Sequence, residues 1–345
     1  MARTLDHPAP DPNETADALQ LLCFSDPVFA ERYRGWSVLG RGSYATVVGT
    51  FSRDAGREIA LKVFVNLEPE MVGRVREEVH AVQTLATPYV VQIYSLFDRG
   101  PIAWFEMELV EGRNLDQELQ RLATARRQMP LRPAFAIALA VGRCLWHAHR
   151  ASVLHRDVKP ANIILPASGQ PAAKLTDFGI ARLANRPAST PAGSVLGTPR
   201  FSSPEALAGR FSGRAHDVFG FCATLYALLS GGLLPFDADP EASLFVLRRA
   251  QLERPPELLH VLRADVDQDV SVCIARGLSP YPMLRPSIRR LVTVLEKAQA
   301  RLPGMASSLG RARRTPAPWQ RWLDTIRTLP RAAWRRIRRT PQGNR

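Results

Sequence analysis

Lysine is scarce in this sequence. Of the 46 basic residues only four are lysines, namely Lys62, Lys159, Lys174 and Lys297, and the others are arginines. An ammonium group and a guanidinium group are not interchangeable, because the lysine carries a compact point charge and the arginine a planar fork of donors. These four positions are therefore candidates for a specific task.

Paired cysteines and long apolar runs are also missing. The four cysteines lie far apart: Cys23, Cys144, Cys222 and Cys273. This spacing excludes a zinc knuckle or a CxxC redox motif, and it predicts buried thiols in a reducing cytoplasm. Residues 1–13 have no apolar signal core, so we expect no secretion. The apolar run at 219–236 is short and is interrupted by serine, glycine and proline, which favours a buried core helix over a membrane span.

The positive charge is concentrated at one end of the chain. The formal net charge is +14, and residues 299–345 contribute +11 of it through twelve arginines and one aspartate. The preceding residues carry the remaining +3, from 14 minus 11. The basicity therefore concerns the partners of this tail and not the chemistry of the residues before it.

Strand-like segments precede helical ones along the chain. A glycine hairpin at 36–48 and strands near 58–65, 90–97 and 103–110 surround a helical segment at 69–86. After Gly112 the periodicity is helical, in six segments: 115–127, 133–150, 217–230, 241–250, 266–276 and 286–300. This order predicts an α+β chain with two lobes and a hinge near residues 108–112.

Three motifs suggest phosphate chemistry. Residues 40–47 read GRGSYATV, and such glycines let backbone N–H groups approach phosphates, although an ordinary hairpin turn fits the same letters. Residues 155–162 read HRDVKPAN, which places a carboxylate, a cation and a carboxamide in one loop. These groups can orient a hydroxyl, neutralise a phosphoryl group and bind a metal. Asp177 begins a DFG triplet after a β-like segment and suits a Mg²⁺ ligand.

Together the motifs resemble the eukaryotic-type (Hanks-type) serine/threonine protein kinases, with a similarity to bacterial members. The resemblance covers residues 34–298 and implies a two-lobed protein-kinase fold. A small β-rich N-lobe with one long helix would occupy residues 34–108, and a larger helical C-lobe residues 112–298. Residues 1–33 would form an N-terminal extension, and residues 299–345 a basic linker and an amphipathic C-terminal tail.

The implied function is transfer of the ATP γ-phosphate, with Mg²⁺, to serine and threonine hydroxyls of protein substrates. Lysine at position 159, two residues after Asp157, is typical of the serine/threonine subclass. One alternative is a pseudokinase-like binding scaffold, which would be expected to lack Lys62, Asp157 or Asp177. A second alternative is a nucleic-acid- or membrane-binding module that acts through the basic tail.

The resemblance also implies individual roles. Asp157 would be the catalytic aspartate, assisted by Lys159 and Lys62, and Asn162 and Asp177 would hold the metal. Glu78, rather than Glu77, would pair with Lys62. The ATP-binding set would comprise Gly40, Arg41, Gly42, Ser43, Ala45, Val47, Ala60, Lys62, Glu78, the gatekeeper Met107 and the hinge residues Glu108 and Val110. Ala45 replaces the third glycine of the phosphate loop, so we expect a modest weakening of nucleotide closure.

Further residues would be structural or regulatory. Asp217 would cap the backbone of the catalytic loop, and Glu205 would form a buried pair with Arg285. Ser203 stands where the family has alanine, a change that is conservative in size. The segment 177–205 would be phosphorylated by the kinase itself on sites that Arg156 could pair with: Ser189, Thr190 or Ser194. Thr198 would support the substrate hydroxyl. The alternative is an activation segment that works unmodified.

The tail has its own pattern. Trp319, Trp322, Ile326 and Leu329 recur at helical spacing, and the residues beyond them are rich in arginine. This composition predicts contact with an anionic membrane surface through residues 317–339. A docking site for an acidic partner and a solvated tail without fixed structure are the alternatives, and the aromatic stripe disfavours nucleic acid. We expect a cytoplasmic location, with the tail as a candidate for contact with the inner membrane face.

Overall fold

The structure is a computed structural model that describes residues 26–41, 45–179, 199–210, 213–236 and 243–302. Residues 1–25, with the apolar stretch at 19–24, and the tail beyond residue 302 lie outside these ranges. Across the described ranges, none of the helices combines the length and the apolar character needed to cross a membrane.

The small lobe is a five-stranded antiparallel sheet with two helices. Its helices are α1 (Pro27–Arg32) and α2 (Pro69–Gln83), and its strands are β1 (Tyr33–Arg41), β2 (Thr46–Ser52), β3 (Arg57–Phe64), β4 (Ile93–Arg99) and β5 (Ile102–Met107). The strand order is β1-β2-β3-β5-β4. Helix α2 buries Val75 and Val79 against the sheet face that carries Ala60 and Phe105. The alternating strand pattern thus gives this sheet two buried faces, and the face with Ala60 and Phe105 is the one that packs against α2.

Helix α1 covers the other face of the sheet. Phe29, at 3% exposure, packs edge-on against the rings of Tyr33 and Trp104. Asp26 begins the helix by accepting hydrogen bonds from the backbone N–H groups of Val28 and Phe29, which otherwise have no partner within the helix. Helix α1 thus lies within residues 1–33, the range that the sequence analysis treats as an N-terminal extension, and packs on the sheet.

The large lobe is mainly helical. Its helices are α3 (Leu115–Thr124), α4 (Leu131–Arg150), α5 (Pro204–Leu207), α6 (Arg214–Ser230), α7 (Leu244–Glu253), α8 (Leu259–Leu262), α9 (Gln268–Gly277) and α10 (Ile288–Ala300). A small antiparallel sheet is formed by β6 (Gly112–Asn114), β7 (Ile163–Pro166) and β8 (Lys174–Leu175), in the order β6-β7-β8. Three-residue 3₁₀ turns occur at 160–162, 199–201 and 282–284.

Helix α6 is the centre of the large lobe. It is buried from His216 to Ser230, because its sequence is apolar on every side. Cys144, Cys222 and Cys273 are buried thiols around this core, as the sequence predicts for small hydrophobic side chains. The run at 219–236 thus contributes a core helix. The polar residues in the first turn of α6 contact the predicted catalytic loop, residues 155–162.

Candidate active site

The loop at 155–162 gathers three of the predicted site residues. The Asp157 carboxylate accepts hydrogen bonds from Lys159 Nζ at 2.7 Å and from Asn162 Nδ2 at 3.1 Å. Asn162 Nδ2 also bonds the backbone oxygen of Asp157 at 2.8 Å. Pro160 begins the 3₁₀ turn that brings Asn162 back towards Asp157. The loop is therefore closed on itself around one carboxylate.

Asp217, in the first turn of α6, holds this loop from below. Its carboxylate accepts from the backbone N–H groups of His155 at 2.9 Å and Arg156 at 2.7 Å, and it contacts His149 Nε2 at 2.8 Å. Burial by itself would raise the pKa of Asp217, but these hydrogen bonds outweigh it, and the pKa lies below its ordinary value. Asp217 is 1% exposed, so it serves as a buried anion that organises the loop backbone.

Lys62 reaches the same cleft from the sheet. The register pairs it with Val47 on one side and Phe105 on the other, which directs it to the face of the sheet shared with Ala60. Its ammonium group contacts Asp177 Oδ1 at 2.6 Å, and the residue is 6% exposed. A cation from β3 and a carboxylate from the segment after β8 are thereby placed in direct contact.

Glu78 does not pair with Lys62 in this structure, in contrast to what the resemblance predicts. Its Oε2 accepts from the guanidinium of Arg156 at 3.2 Å. The cause lies in competition: Lys62 is already bound to Asp177, and Arg156 reaches up to α2 from the catalytic loop. Burial raises the pKa of Glu78, and Arg156 offsets this only in part.

The predicted nucleotide face is an apolar surface between the lobes. Ala45, Ala60 and Met107 are buried in one cluster, against which Val47 and Val110 pack. Gly40 and Arg41 end strand β1 and are exposed, whereas Gly42 and Ser43 lie outside the described residues. A flat base fits such a surface, since ligand pockets are mostly apolar with a few placed polar groups.

Lys174 forms an ion pair with Glu108, a residue of the predicted hinge. Lys174 Nζ lies 2.6 and 2.7 Å from the two carboxylate oxygens of Glu108, and the Glu108 carboxylate also accepts from the backbone N–H of Gln92. Lys174 stands three residues before Asp177. The scarcity of lysine pointed to this position, but sequence reasoning assigned it no task, because its partner is distant in the chain.

Behind Met107 lies a small apolar cavity. It is lined by Val82, Val91, Ile93, Phe105, Met107, Thr176, Asp177 and Phe178. Asp177 is the one charged residue of this lining, so the cavity extends the nucleotide face towards α2 and does not form a separate polar site.

The residues predicted to hold a metal fit Mg²⁺ in their chemistry. Asp177 offers a carboxylate, and Asn162 has its amide nitrogen engaged by Asp157, so its side-chain oxygen is the atom suited to a cation. The backbone N–H of Thr176 bonds the backbone oxygen of Asn162 at 2.9 Å and keeps the two segments side by side. The described part of the chain has no cluster of three or more His, Cys, Asp or Glu side chains arranged for a metal.

The remaining predicted residues divide into two groups. Glu205 and Arg285 form a double hydrogen bond at 2.6 and 2.8 Å, and the Arg285 side chain is 1% exposed. Four other predicted residues lie outside the described ranges: Ser189, Thr190, Ser194 and Thr198.

Sequence reasoning missed the partner of Ser203. Its hydroxyl lies 2.9 Å from His216 Nδ1, and His216 Nε2 lies 3.0 Å from the backbone oxygen of Arg156. No motif marks this contact, because the two side chains are thirteen positions apart and meet only when the segment before α5 lies against α6.

Known proteins resemble this chain in both sequence and structure. The family described as protein kinase domain matches residues 33–294. Serine/threonine-protein kinase PknA of Mycobacterium tuberculosis is 31% identical over 254 residues, which are 71% of this chain and 57% of that protein. PrkC of Bacillus subtilis, also named a serine/threonine-protein kinase, is 32% identical over 228 residues, 65% of this chain and 34% of that protein.

Two further matches extend the comparison. Serine/threonine-protein kinase PkaB of Streptomyces coelicolor is 33% identical over 285 residues, 80% of this chain and 65% of that protein. The chain therefore spans from about a third to two thirds of the length of these curated relatives. The crystal structure of the PknI kinase domain of Mycobacterium tuberculosis superposes with a TM-score of 0.56 at 23% identity, over 77% of this chain and 96% of that one, which shows a shared fold.

Proposed function

Because the chain belongs to the protein kinase family, we propose that it is an active serine/threonine kinase that transfers the γ-phosphate of ATP to proteins. The observation that carries the proposal is the convergence of Lys62, Asp157, Lys159, Asn162 and Asp177 in one cleft. A pseudokinase-like scaffold is disfavoured, since every polar group that phosphoryl transfer requires is represented by a suitable side chain.

Each of these side chains has a task in the proposed reaction. Asp157 orients the acceptor hydroxyl and takes its proton, since its carboxylate is partly exposed and has Lys159 beside it. Lys159 and Lys62 neutralise negative charge on the phosphates, in a cleft where burial strengthens such interactions. The chain thus contributes positioning and charge compensation, which are what phosphoryl transfer needs.

Mg²⁺ is the divalent ion that we propose for Asn162 and Asp177. When bound there, it would supply positive charge to the phosphate oxygens of the substrate. Lys62 holds one oxygen of Asp177 through the 2.6 Å contact and so fixes how the carboxylate faces the cleft.

The preference for serine and threonine is supported by the lysine at position 159 and by the relatives, which are named serine/threonine-protein kinases.

Labelled ATP and a generic protein substrate test the catalytic assignment. We expect Lys62→Met and Asp157→Asn each to lower the transfer rate by at least about a thousandfold, because each removes a charge used at the reacting phosphate. Lys297→Met is the matched control, since Lys297 is exposed on α10 and far from the loop in sequence. Equal rates in wild type, Lys62→Met and Asp157→Asn would contradict the proposal, as would a wild type without any transfer.

For the tail we propose contact with an anionic membrane surface. The support is compositional: tryptophans at helical spacing beside arginines, within a segment of net charge +11. We expect the full chain to float with vesicles rich in phosphatidylserine and a chain ending at Ala300 to stay in solution. Recovery of both chains in the vesicle fraction to the same extent would rule out the tail as the cause, and recovery of neither would rule out the membrane.

A further inference from the structure

The residue before the candidate catalytic aspartate has an unusual backbone. Arg156 has φ +65°, in the left-handed region that residues with a side chain rarely adopt. Such a conformation costs about 1–2 kcal/mol and persists only where neighbouring groups hold it. The peptide group that joins Arg156 to Asp157 therefore requires specific partners.

Two imidazole rings hold that peptide group from opposite sides. The N–H of Asp157 donates to His155 Nδ1 at 3.2 Å, and the carbonyl oxygen of Arg156 accepts from His216 Nε2 at 3.0 Å. His216 directly precedes Asp217, whose carboxylate binds the N–H of Arg156. Consecutive residues of α6 thus restrain both polar backbone atoms of Arg156.

The His216 ring is itself fixed at its second nitrogen. Its Nδ1 lies 2.9 Å from Ser203 Oγ, and the two residues are 4% and 0% exposed. A carbonyl oxygen can only accept, so Nε2 must carry a hydrogen, and in the neutral ring Nδ1 then accepts the hydroxyl hydrogen of Ser203. Ser203 stands two residues before Glu205, which Arg285 anchors with two hydrogen bonds.

We infer that His216 is a positioning residue for phosphoryl transfer: its Nε2–H holds the Arg156 carbonyl and thereby aims the Asp157 carboxylate. This inference rests on the proposed kinase activity. If the carbonyl is released, the peptide plane can rotate, and that rotation redirects the Cα–Cβ bond of Asp157 away from the acceptor hydroxyl. Ser203 contributes by fixing the ring, which couples the end of the activation segment to the catalytic loop.

Two amide substitutions separate the nitrogens of the ring. The side-chain amide of His216→Gln reaches the place of Nε2 and can still donate to Arg156, whereas that of His216→Asn reaches only the place of Nδ1, beside Ser203. We expect kcat to fall about 10- to 100-fold in His216→Asn and to stay within about threefold of wild type in His216→Gln. KM for ATP should change less than about twofold in both, because the nucleotide face is not touched.

Equal losses of kcat in the two variants would overturn the inference, since the ring would then act by filling space. Wild-type kcat in both would overturn it as well. Should His216→Asn fail to fold by circular dichroism, Ser203→Ala replaces it, with an expected two- to tenfold loss of kcat at unchanged KM for ATP. An unchanged kcat in Ser203→Ala would remove the proposed coupling through the ring.

Nitrogen-15 NMR of labelled histidines gives a readout that does not depend on activity. We expect a hydrogen on Nε2 of His216 and none on Nδ1 at neutral pH. The signals of the His216 ring are assigned as those that disappear in the spectrum of His216→Gln. A ring with its hydrogen on Nδ1 alone would contradict the inference even in an active enzyme. A wild type with the expected ring signal and no phosphate transfer would instead contradict the proposed function and leave the His216 contacts standing.

Discussion

The catalytic loop and the Lys62–Glu78 region are held in different ways. In the large lobe, Asp217 and His216 bind the loop backbone through contacts buried beneath it. In the small lobe, Lys62 and Glu78 contact side chains that belong to the large lobe, Asp177 and Arg156. The loop is therefore held by buried hydrogen bonds to its backbone, whereas Lys62 and Glu78 are held by ion pairs between side chains of the two lobes.

The pKa values of two carboxylates, Asp217 and Glu78, are shifted in opposite directions. The pKa of Asp217 lies below its ordinary value, because three hydrogen-bond donors outweigh its burial. The pKa of Glu78 lies above its ordinary value, because burial outweighs its single contact with Arg156. Asp217 binds the backbone N–H of Arg156 and Glu78 binds its guanidinium, so two carboxylates with opposite pKa shifts contact the same residue.

Replacing Asp217 should have the largest effect on stability. Asp217→Asn keeps the shape but turns one acceptor into a donor that faces an N–H group, so we expect the free energy of unfolding to fall by about 2–4 kcal/mol. Urea unfolding measures it. Asp98→Asn is the matched control, since Asp98 pairs with Arg76 at the surface at 2.7 Å and its loss should change stability by less than about 1 kcal/mol. Similar losses in the two variants would show that the buried contacts of Asp217 contribute no more than a surface ion pair.

Glu78→Gln should separate activity from stability. We expect transfer to fall at least about tenfold, because the resemblance implies that Glu78 holds Lys62 during turnover. Stability at neutral pH should stay the same or rise, because a neutral side chain removes the unfavourable burial of charge that raises the pKa of Glu78. Rate assays and thermal unfolding measure the two quantities.

Glu77→Gln provides the control for this experiment. Glu77 is the adjacent residue of α2 and is exposed, so its replacement should leave both quantities close to wild type. A Glu78→Gln enzyme with full activity would show that the Glu78 contact with Arg156 is a structural pair only.

The smallest expected effect is a pH dependence of stability. Burial lowers the pKa of His155 from its ordinary 6.5, despite nearby carboxylates. The folded chain thus binds this proton less readily than the unfolded chain does. The stability contributed by neutral His155 is therefore present above pH 6.5 and is lost as pH falls below 6.5 towards the folded-state pKa, at up to about 1.4 kcal/mol per pH unit.

Unfolding of the wild type between pH 7.5 and 5.5 reveals this slope. His155→Gln should reduce it, and His80→Gln, at an exposed position of α2, should retain it. An identical slope in wild type and His155→Gln would assign the pH dependence to other groups.

Much of the fold followed from periodicity. Between residues 69 and 300, helices appear at the segments where the sequence predicted them, and α6 is buried because its residues are apolar on all sides. Boundaries were less exact: the helix predicted at 241–250 is α7 (Leu244–Glu253), which begins after Ser243, whose side chain bonds the N–H of Val246. The docking of Phe29 onto Trp104 had no local signal, since a short helix is defined by what it packs against.

The sequence by itself determined which side chains are available for chemistry. The resemblance of its motifs to those of protein kinases pointed to five residues for phosphoryl transfer, namely Lys62, Asp157, Lys159, Asn162 and Asp177. Only the tertiary structure decided their partners: Lys62 with Asp177, Glu78 with Arg156, Lys174 with Glu108, and His216 between Ser203 and Arg156. The physical reason is that a lysine or arginine can pair with any carboxylate or carbonyl oxygen that the fold brings within reach. Which contact forms depends on distances of a few ångströms that the packing of α2 and α6 sets, and no spacing along the chain encodes them.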